Sequence, residues 1–308
     1  MTISEWYSNS HEKADLQLCE TLLKQEGFAV SIGYTSTTNL KFSFLAKKQH
    51  QLAIRLLTPD PLSEDEFWKK LKGITPHPSL AFNSRLSNLL TPSLVKKAQL
   101  HGVRLCPITD SKINIIDPTL SVDQIQSQIR QVESAKLRNL LHSCKPGRKQ
   151  WRLFEDICEE LFNILFIPPL DYPQVQADTI LGIRRRDLIY PNRSSSGFWS
   201  KEVQHRYKGE YVLLECKNYR KPISKKEFDQ GLGYLGPNGL GRFGIIVSRK
   251  AIEEKVRVLQ MVNWSNSKNM LLTLSEQNLR QMIDLYSKGK DPTRIIQYAI
   301  DKVRTAVP

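Results

Sequence analysis

The feature that most constrains this chain is a short apolar run, YVLLE at residues 211–215, which ends in Glu215 and is followed by Lys217. Such a run is typical of a strand buried on both faces of a sheet. Side chains at positions i and i+2 of a strand point to the same face, so Glu215 and Lys217 are predicted to stand side by side. Charges at the end of a buried strand are costly unless they are paired or coordinate something, which favours a functional site here.

A second short apolar segment lies upstream, in RRRDLIYPN at residues 184–192, and Asp187 stands at its head. If this segment forms the neighbouring strand, Asp187, Glu215 and Lys217 converge at one place. Carboxylates are the ligands that a hard divalent cation such as Mg²⁺ prefers, and an ammonium beside them can orient a water molecule. The alternative is that Asp187 pairs with a neighbouring arginine and that Glu215 and Lys217 form a surface ion pair on an edge strand.

The surrounding elements are predicted as a helix, two strands, a second helix and a further strand. A helix is expected over residues 149–166, then the Asp187 and Glu215 strands, then a helix over 225–235 and an apolar strand over 243–248. The C-terminal stretch predicts one more strand and two amphipathic helices.

The spacing Asp-x(n)-Glu-x-Lys, in this order of elements, resembles the PD-(D/E)XK phosphodiesterase superfamily, the fold of many restriction endonucleases. The string ECKNYRKPIS followed by KEFDQ is similar to its Mrr-like branch. The resemblance covers about residues 149–300, and it implies an α/β fold with a mixed central sheet flanked by helices. It also implies metal-dependent hydrolysis of phosphodiester bonds in nucleic acid, with double-stranded DNA as the expected substrate and restriction or defence against foreign DNA as the expected biology.

The resemblance also implies roles for individual residues. Asp187 and Glu215 would hold Mg²⁺, or Mn²⁺, which an oxygen-ligand set does not distinguish, and Lys217 would orient the attacking water. Glu155, preferred over Glu159, is the helical carboxylate that would complete the metal site, and Gln230 on the following helix would lie near it. Cutting two strands with one site per chain favours a homodimer.

Two other interpretations stay open. The nuclease fold could persist as a catalytically silent nucleic-acid-binding or regulatory module, or a ligand or partner at the N-terminal region could switch the nuclease on. No H-E-x-x-H, paired-cysteine or G-x-S-x-G motif supports a zinc enzyme or a serine hydrolase.

The net charge of +14 favours a polyanionic partner, because neutralising phosphates releases counterions. Residues 146–308 carry 27 Lys and Arg against 18 Asp and Glu, so the excess is larger in the half with the candidate site. The segment 184–208 is predicted to contact DNA as a mobile basic loop with exposed aromatic residues, Phe198 and Trp199; the alternative is that these rings pack on the core. Its basic residues are Arg184, Arg185, Arg186, Arg193, Lys201, Arg206 and Lys208.

Length and composition predict a cytoplasmic two-domain protein. The 308 residues suffice for two domains, predicted as an α/β domain over 1–120, a helical linker over 121–148 and the nuclease domain over 149–308. No apolar run approaches the roughly 20 residues that span a bilayer, and no signal peptide is visible. The five scattered cysteines argue against a disulfide framework.

The N-terminal half repeats features of the C-terminal half. Residues 16–28 parallel residues 154–166, and PLSEDEFWKKL at 61–71 parallels PISKKEFDQGL at 222–232. Two strands are expected between these matches, over 41–46 and 50–57. This pattern predicts a duplicated α/β unit.

In that alignment the first copy lacks the charged residues, since Ile54 and Leu56 fall on Glu215 and Lys217. The first domain would then be an inactive nuclease-like or regulatory module. The alternative is a simple α/β packing domain.

Overall fold

The structure is a computed structural model, and it describes residues 10–25, 29–35, 41–47, 51–56, 77–83, 92–108, 116, 120–175, 187–236 and 240–306. The chain divides into two compact units, Met1–Lys136 and Leu137–Pro308. Each contains a five-stranded mixed sheet accompanied by helices, so the predicted α/β class is confirmed. Within these ranges no helix has both the length and the apolar character needed to cross a membrane.

The first unit orders its sheet as the chain runs, β1-β2-β3-β4-β5. The first three strands pair antiparallel, and β3, β4 and β5 pair parallel. The strands predicted over 41–46 and 50–57 are confirmed, whereas the segment 61–71 lies outside the described residues. The elements are α1 Ser10–Gln25, β1 Ala29–Thr35, β2 Lys41–Lys47, β3 Gln51–Leu56, β4 His77–Asn83, α2 Pro92–Leu100 and β5 Arg104–Ile108.

A long helix, α3 Val122–Ser143, carries the chain from the first unit into the second. Ser121 precedes it as the N-cap: its hydroxyl accepts a hydrogen bond from the backbone of Gln124, whose side chain accepts one from the backbone of Ser121. This reciprocal pair satisfies backbone donors that the first turn leaves without partners. The division between the units falls inside α3, after Lys136.

The second unit orders its sheet β6-β7-β8-β9-β10. Strands β6, β7 and β8 pair antiparallel, and β8, β9 and β10 pair parallel. The elements are α4 Trp151–Phe166, β6 Gln174–Val175, β7 Leu188–Pro191, a π-helix Trp199–Arg206, β8 Tyr211–Lys217, α5 Lys225–Leu232, β9 Phe243–Ser248, α6 Glu254–Ser267, β10 Met270–Ser275, α7 Glu276–Ser287 and α8 Thr293–Thr305.

Strand β8 is buried on both faces, as its apolar run predicts. Val212 and Leu214 belong to the core under α4, which includes Phe154, whereas Leu213 belongs to a second core with Phe228 of α5. Fully burying one such aliphatic or aromatic side chain contributes about 1.5–3 kcal/mol. The central strand is thereby fixed from both sides, and its charged carboxyl end is held at a defined edge of the sheet.

Helix α5 begins soon after β8 because Ser224 and Glu227 form a capping box. The backbone of Ser224 donates to Glu227 Oε2 over 2.8 Å, and the Ser224 hydroxyl accepts from the backbone of Lys226. Burial alone would raise the pKa of the Glu227 carboxyl, but the hydrogen bonds from Ser224 outweigh this effect, and the pKa is lowered. The helix therefore starts at a fixed point close to the end of the strand that carries Glu215 and Lys217.

Candidate active site

The register of β7 and β8 brings the three predicted residues together. Leu188 pairs with Leu214 in this antiparallel ladder, so Asp187, one residue earlier, stands beside Glu215. Glu215 and Lys217 follow on one face of β8. We call Asp187, Glu215 and Lys217 the acid–lysine cluster.

Lys217 lies between the two carboxylates of the acid–lysine cluster. Its Nζ is 2.8 Å from Glu215 Oε2 and 3.6 Å from Asp187 Oδ2. Asp187 Oδ2 also accepts a hydrogen bond of 2.7 Å from the backbone of Cys216, which fixes this carboxylate against the strand. The side chains of Glu215, Lys217 and Asp187 are 2%, 14% and 20% exposed. The cluster is therefore buried at Glu215 and reaches solvent at Asp187.

Burial and mutual charge shape the ionisation of this cluster. Burial raises the pKa of the Glu215 carboxyl; the Lys217 ammonium opposes this rise and the Asp187 carboxylate adds to it. Burial alone would lower the pKa of Lys217, but the carboxylates of Glu215 and Asp187 outweigh it, and the pKa of this ammonium is raised. Lys217 is consequently a fixed cation at neutral pH and is unsuited to act as a general base.

One atom of the cluster fits a metal ligand. Among the described residues, Oε1 of Glu215 has no hydrogen-bond partner although it is buried. A buried carboxylate oxygen without a partner is costly, and a hard cation bound by oxygen ligands would satisfy it. Within the residues that the structure describes, no group of three or more His, Cys, Asp or Glu side chains is arranged to hold a metal ion. The protein ligands that the structure brings together are thus two carboxylates.

Glu155 is buried on helix α4. That helix packs on the face of β8 that bears Leu214, and Cys216 packs against the same core. Neighbouring strand residues point to opposite faces, so the helix lies on the face opposite to Glu215 and Lys217. Burial raises the pKa of the Cys216 thiol, and the carboxylates of Asp187 and Glu155 are among the smaller contributors to this rise. The role of Glu155 as a third ligand stays a prediction, as does the choice between it and Glu159.

Gln230 is exposed on α5, where its side-chain amide donates to the Tyr234 hydroxyl over 3.3 Å. This helix covers the face of the sheet to which Glu215 and Lys217 point. The position of Gln230 near the metal site stays a prediction. A contact with the substrate stays a prediction.

Arg249 is a buried arginine that was not predicted from the sequence, and it binds the residue directly after Lys217. Arg249 follows β9, and its side chain is 1% exposed. It donates to Asn218 Oδ1 over 2.8 Å, to Glu276 Oε2 over 2.7 Å and to the carbonyl of Cys144, and its guanidinium lies 4.5 Å from the centre of the Phe154 ring. Arg249 directly follows a six-residue apolar strand, and that position was the available signal, because a charge there must find partners.

The Arg249 network continues through Asn218, which directly follows Lys217. The side-chain amide of Asn218 donates to the carbonyls of Lys145 and Gly147 over 3.1 and 3.0 Å. The backbone of Gly147 donates to the Asn218 carbonyl over 2.7 Å. These bonds fasten the segment before α4 to the end of the strand that carries the cluster.

The part of the predicted DNA-contact segment that follows β7 lies away from the cluster. It connects the end of β7 to the start of β8, whereas Asp187 precedes β7 and Lys217 ends β8. The connection therefore lies at the opposite edge of the sheet, about 20 Å away for a seven-residue strand. Arg184, Arg185 and Arg186 lie outside the described residues, and Arg193, Lys201, Arg206 and Lys208 are exposed at that far edge.

The prediction of a mobile loop with exposed aromatic residues was wrong for this segment. Its middle forms the π-helix, and Trp199 is 2% exposed. The Trp199 ring packs edge-on against Phe166 and Phe198 with centroids 5.2 Å apart in both pairs. The gain from burying two aromatic rings outweighs the turn-forming tendency of the preceding serines. Nucleic-acid contact by the four described basic residues stays a prediction.

A cavity of about 740 Å³ lies at the carboxyl ends of β9 and β10. Ser248 and Ser275 line it, and the register pairs Lys217 with Ser248 and Ser248 with Ser275. Lys250 and Lys302 contribute cationic side chains to the lining. The residues that line this cavity do not include Asp187, Glu215 or Lys217.

Comparison with known proteins identifies no relative. No protein-family model matches the chain, and no curated protein and no solved structure matches it.

Proposed function

We propose that the second unit is a metal-dependent nuclease that hydrolyses phosphodiester bonds in DNA. The observation that carries this proposal is the convergence of Asp187, Glu215 and Lys217, with a buried oxygen of Glu215 left without a hydrogen-bond partner among the described residues. Two carboxylates and a permanently charged ammonium at one edge of a sheet suit a reaction in which negative charge builds up on a phosphate.

The order of elements supports a restriction endonuclease-like core. Helix α4 is followed by β6, β7 and β8, then by α5 and β9, which is the order helix, strand, strand, strand, helix, strand. The acid–lysine cluster stands where the second and third of these strands lie side by side. By the same resemblance, the biological setting would be restriction or defence, carried out by a homodimer.

Asp187 and Glu215 would hold Mg²⁺ or Mn²⁺. When bound, such an ion acidifies a coordinated water and stabilises charge on the phosphoryl oxygens. Asp187 is the more exposed of the two ligands and faces the substrate side, whereas Glu215 anchors the site from within. Because its pKa is raised, Lys217 keeps its proton, so it orients a water or offsets charge on the phosphate as a hydrogen-bond donor.

Cleavage of a supercoiled plasmid tests the proposal. Purified protein with Mg²⁺ or Mn²⁺ should nick or linearise the plasmid, and EDTA should stop it. Asp187→Asn and Lys217→Met should each lower the rate on the order of 100-fold or more, since each removes charge stabilisation at the reacting phosphate.

The matched controls are Asp229→Asn and Lys225→Met, which alter an exposed ion pair of 2.7 Å on α5 in the same unit. Exposed pairs contribute little to stability, so both controls should cleave like the wild type. Wild-type cleavage that survives in Asp187→Asn and Lys217→Met would remove the acid–lysine cluster from the chemistry.

A catalytically silent binding module is the second candidate. The observation that favours it is that Lys217 already pairs with both carboxylates. A wild-type protein that retards the plasmid on a gel in a salt-sensitive way but does not cut it under any metal condition would support this function. Cleavage that begins only after a ligand or partner is added would support a switched nuclease.

A further inference from the structure

We infer that a second basic surface, at the same edge of the sheet as the acid–lysine cluster, binds the phosphate backbone of nucleic acid. It consists of two segments, residues 145–152 and 218–221, which we call the basic rim. The inference rests on the proposed function, because it assigns the surface that would hold the substrate at the cluster. Its cationic side chains are Lys145, Arg148, Lys149, Arg152, Arg220 and Lys221.

The position of the basic rim follows from the chain. Asn218 is the residue after Lys217, so the 218–221 segment leaves the acid–lysine cluster directly. A phosphodiester held at the cluster belongs to a strand that continues over the neighbouring surface in both directions. The basic rim is therefore the surface that such a strand meets first on the side of Lys217.

Hydrogen bonds hold the two segments together as one surface. Besides the three bonds that join Asn218 to the 145–147 turn, Arg220 Nε donates to the Pro146 carbonyl over 3.3 Å. Gly147 has φ 129°, and a Cβ there would lie 3.3 Å from Arg220 Nε. The turn can approach Arg220 this closely only because residue 147 is glycine.

The cations of the basic rim form no ion pair that the structure records among the described residues. Neither segment contains an acidic residue. The ion pairs that the structure records in the described ranges include none of the six cationic side chains, all of which are exposed. By contrast, Arg193 and Arg206 at the far edge of the sheet face Asp171 and Glu202 at 3.7 and 2.8 Å. Clustered cations repel one another, and a polyanion relieves that repulsion while it releases counterions.

Two exposed aromatic rings stand among these cations. Trp151 and Tyr219 are each 42% exposed, and Arg152 lies 5.1 Å from the centre of the Trp151 ring. Surfaces that combine phosphate-binding cations with exposed aromatic rings bind nucleic acids, since bases stack on the rings. The chemistry of the basic rim thus points to nucleic acid over an acidic protein.

A binding measurement without metal separates this inference from the proposed cleavage. Fluorescence anisotropy in EDTA follows a labelled DNA duplex with wild type and with Arg148→Ala/Lys149→Ala/Lys221→Ala. These three side chains take part in no hydrogen bond or ion pair recorded among the described residues, so the variant should fold like the wild type, which circular dichroism checks. We expect roughly tenfold weaker binding or more, with a salt dependence of log K that is shallower by about 0.9 per lost phosphate contact.

The matched control is Lys288→Ala/Lys290→Ala/Arg294→Ala, which removes the same charges from exposed positions. These residues lie beyond the end of α7, about 18 Å from the carboxyl edge of β10 where that helix begins. The control should bind within about twofold of wild type. Equal losses in the two variants, or no loss in the first, would overturn the inference even if the plasmid is cut. A tenfold loss confined to the basic rim would support it even if the plasmid stays intact.

Discussion

The two units of this protein share a sheet topology and differ in what the sheet carries. Each has five strands in chain order, with two antiparallel pairings followed by two parallel ones. Each also has a helix directly before its first strand. This agreement supports the interpretation of the first unit as a second copy of the same α/β unit.

The difference lies at the carboxyl end of the third strand. There β3 ends in Ile54, Arg55 and Leu56, whereas β8 ends in Glu215, Cys216 and Lys217. The residue that pairs with Ile54 on the neighbouring strand is Phe44, at the position that Asp187 takes in the second unit. The same sheet therefore carries three apolar residues in one unit and an acid–lysine cluster in the other. Under the proposed function, the two units share a fold and differ at the three positions that would carry the chemistry.

The largest effect is expected at Arg249. The strand pairings give Phe82 as the equivalent residue of the first unit. Arg249→Met should lower the free energy of unfolding by about 3–5 kcal/mol, because it leaves Glu276, Asn218 and a carbonyl without a buried partner. Urea denaturation measures the change.

Arg280→Met is the control for this prediction, since Arg280 pairs with the same Glu276 but is 40% exposed. It should cost less than about 1 kcal/mol. Similar losses in both variants would contradict the structural role given to Arg249.

The next prediction compares the loss of one member of the Glu215–Lys217 ion pair with the replacement of both members by apolar residues. Lys217→Ala should destabilise the protein by about 3 kcal/mol, because it removes the cation that pairs with the buried Glu215 carboxylate. The double variant Glu215→Ile/Lys217→Leu introduces the residues that stand at the two equivalent positions of β3. It should be neutral or more stable by about 1 kcal/mol. Thermal and urea unfolding compare them, and a double variant less stable than Lys217→Ala would contradict the equivalence of the two strand ends.

A smaller loss is expected at the turn that supports the basic rim. Gly147→Ala should cost about 1–3 kcal/mol, because the left-handed backbone at φ 129° is strained for alanine and its Cβ would crowd Arg220. Gly236→Ala serves as the control, since its Cβ would meet no atom within 4 Å. Equal stability of the two variants would show that the turn is not held as described.

The smallest effect compares two serines at matching positions of the two halves of the sequence. Ser224→Ala should cost about 1 kcal/mol by removing the capping box of α5. In the first unit Ser63 precedes Glu66 at the same spacing. If the units are copies, Ser63→Ala should cost about as much, and denaturation curves that respond only to Ser224→Ala would weaken the comparison.

Sequence reasoning succeeded where local rules decide the outcome. The alternation of side chains along a strand put Glu215 beside Lys217, and apolar periodicity predicted α4 and β9. The strand and the two helices predicted for the C-terminal stretch are β10, α7 and α8. These features depend on residues within a few positions of one another.

The same reasoning failed where distant residues decide. Trp199 is buried because Phe166, 33 positions earlier in the chain, offers it a packing partner. The arginine network of Arg249 reaches Cys144, more than 100 residues away. The basic segment after β7 was predicted to contact DNA from its charge, its loop-like composition and its aromatic residues, whereas the antiparallel pairing of β7 and β8 places it at the end of the sheet opposite the cluster.

The most direct test is the rate of plasmid cleavage by Glu215→Ile/Lys217→Leu, the variant in which two of the three cluster positions carry the residues of the first unit. We expect the variant to fold but not to cut supercoiled plasmid with Mg²⁺ or Mn²⁺, whereas the wild type cuts it. A folded double variant that cuts at the wild-type rate would contradict the claim that the acid–lysine cluster carries the chemistry.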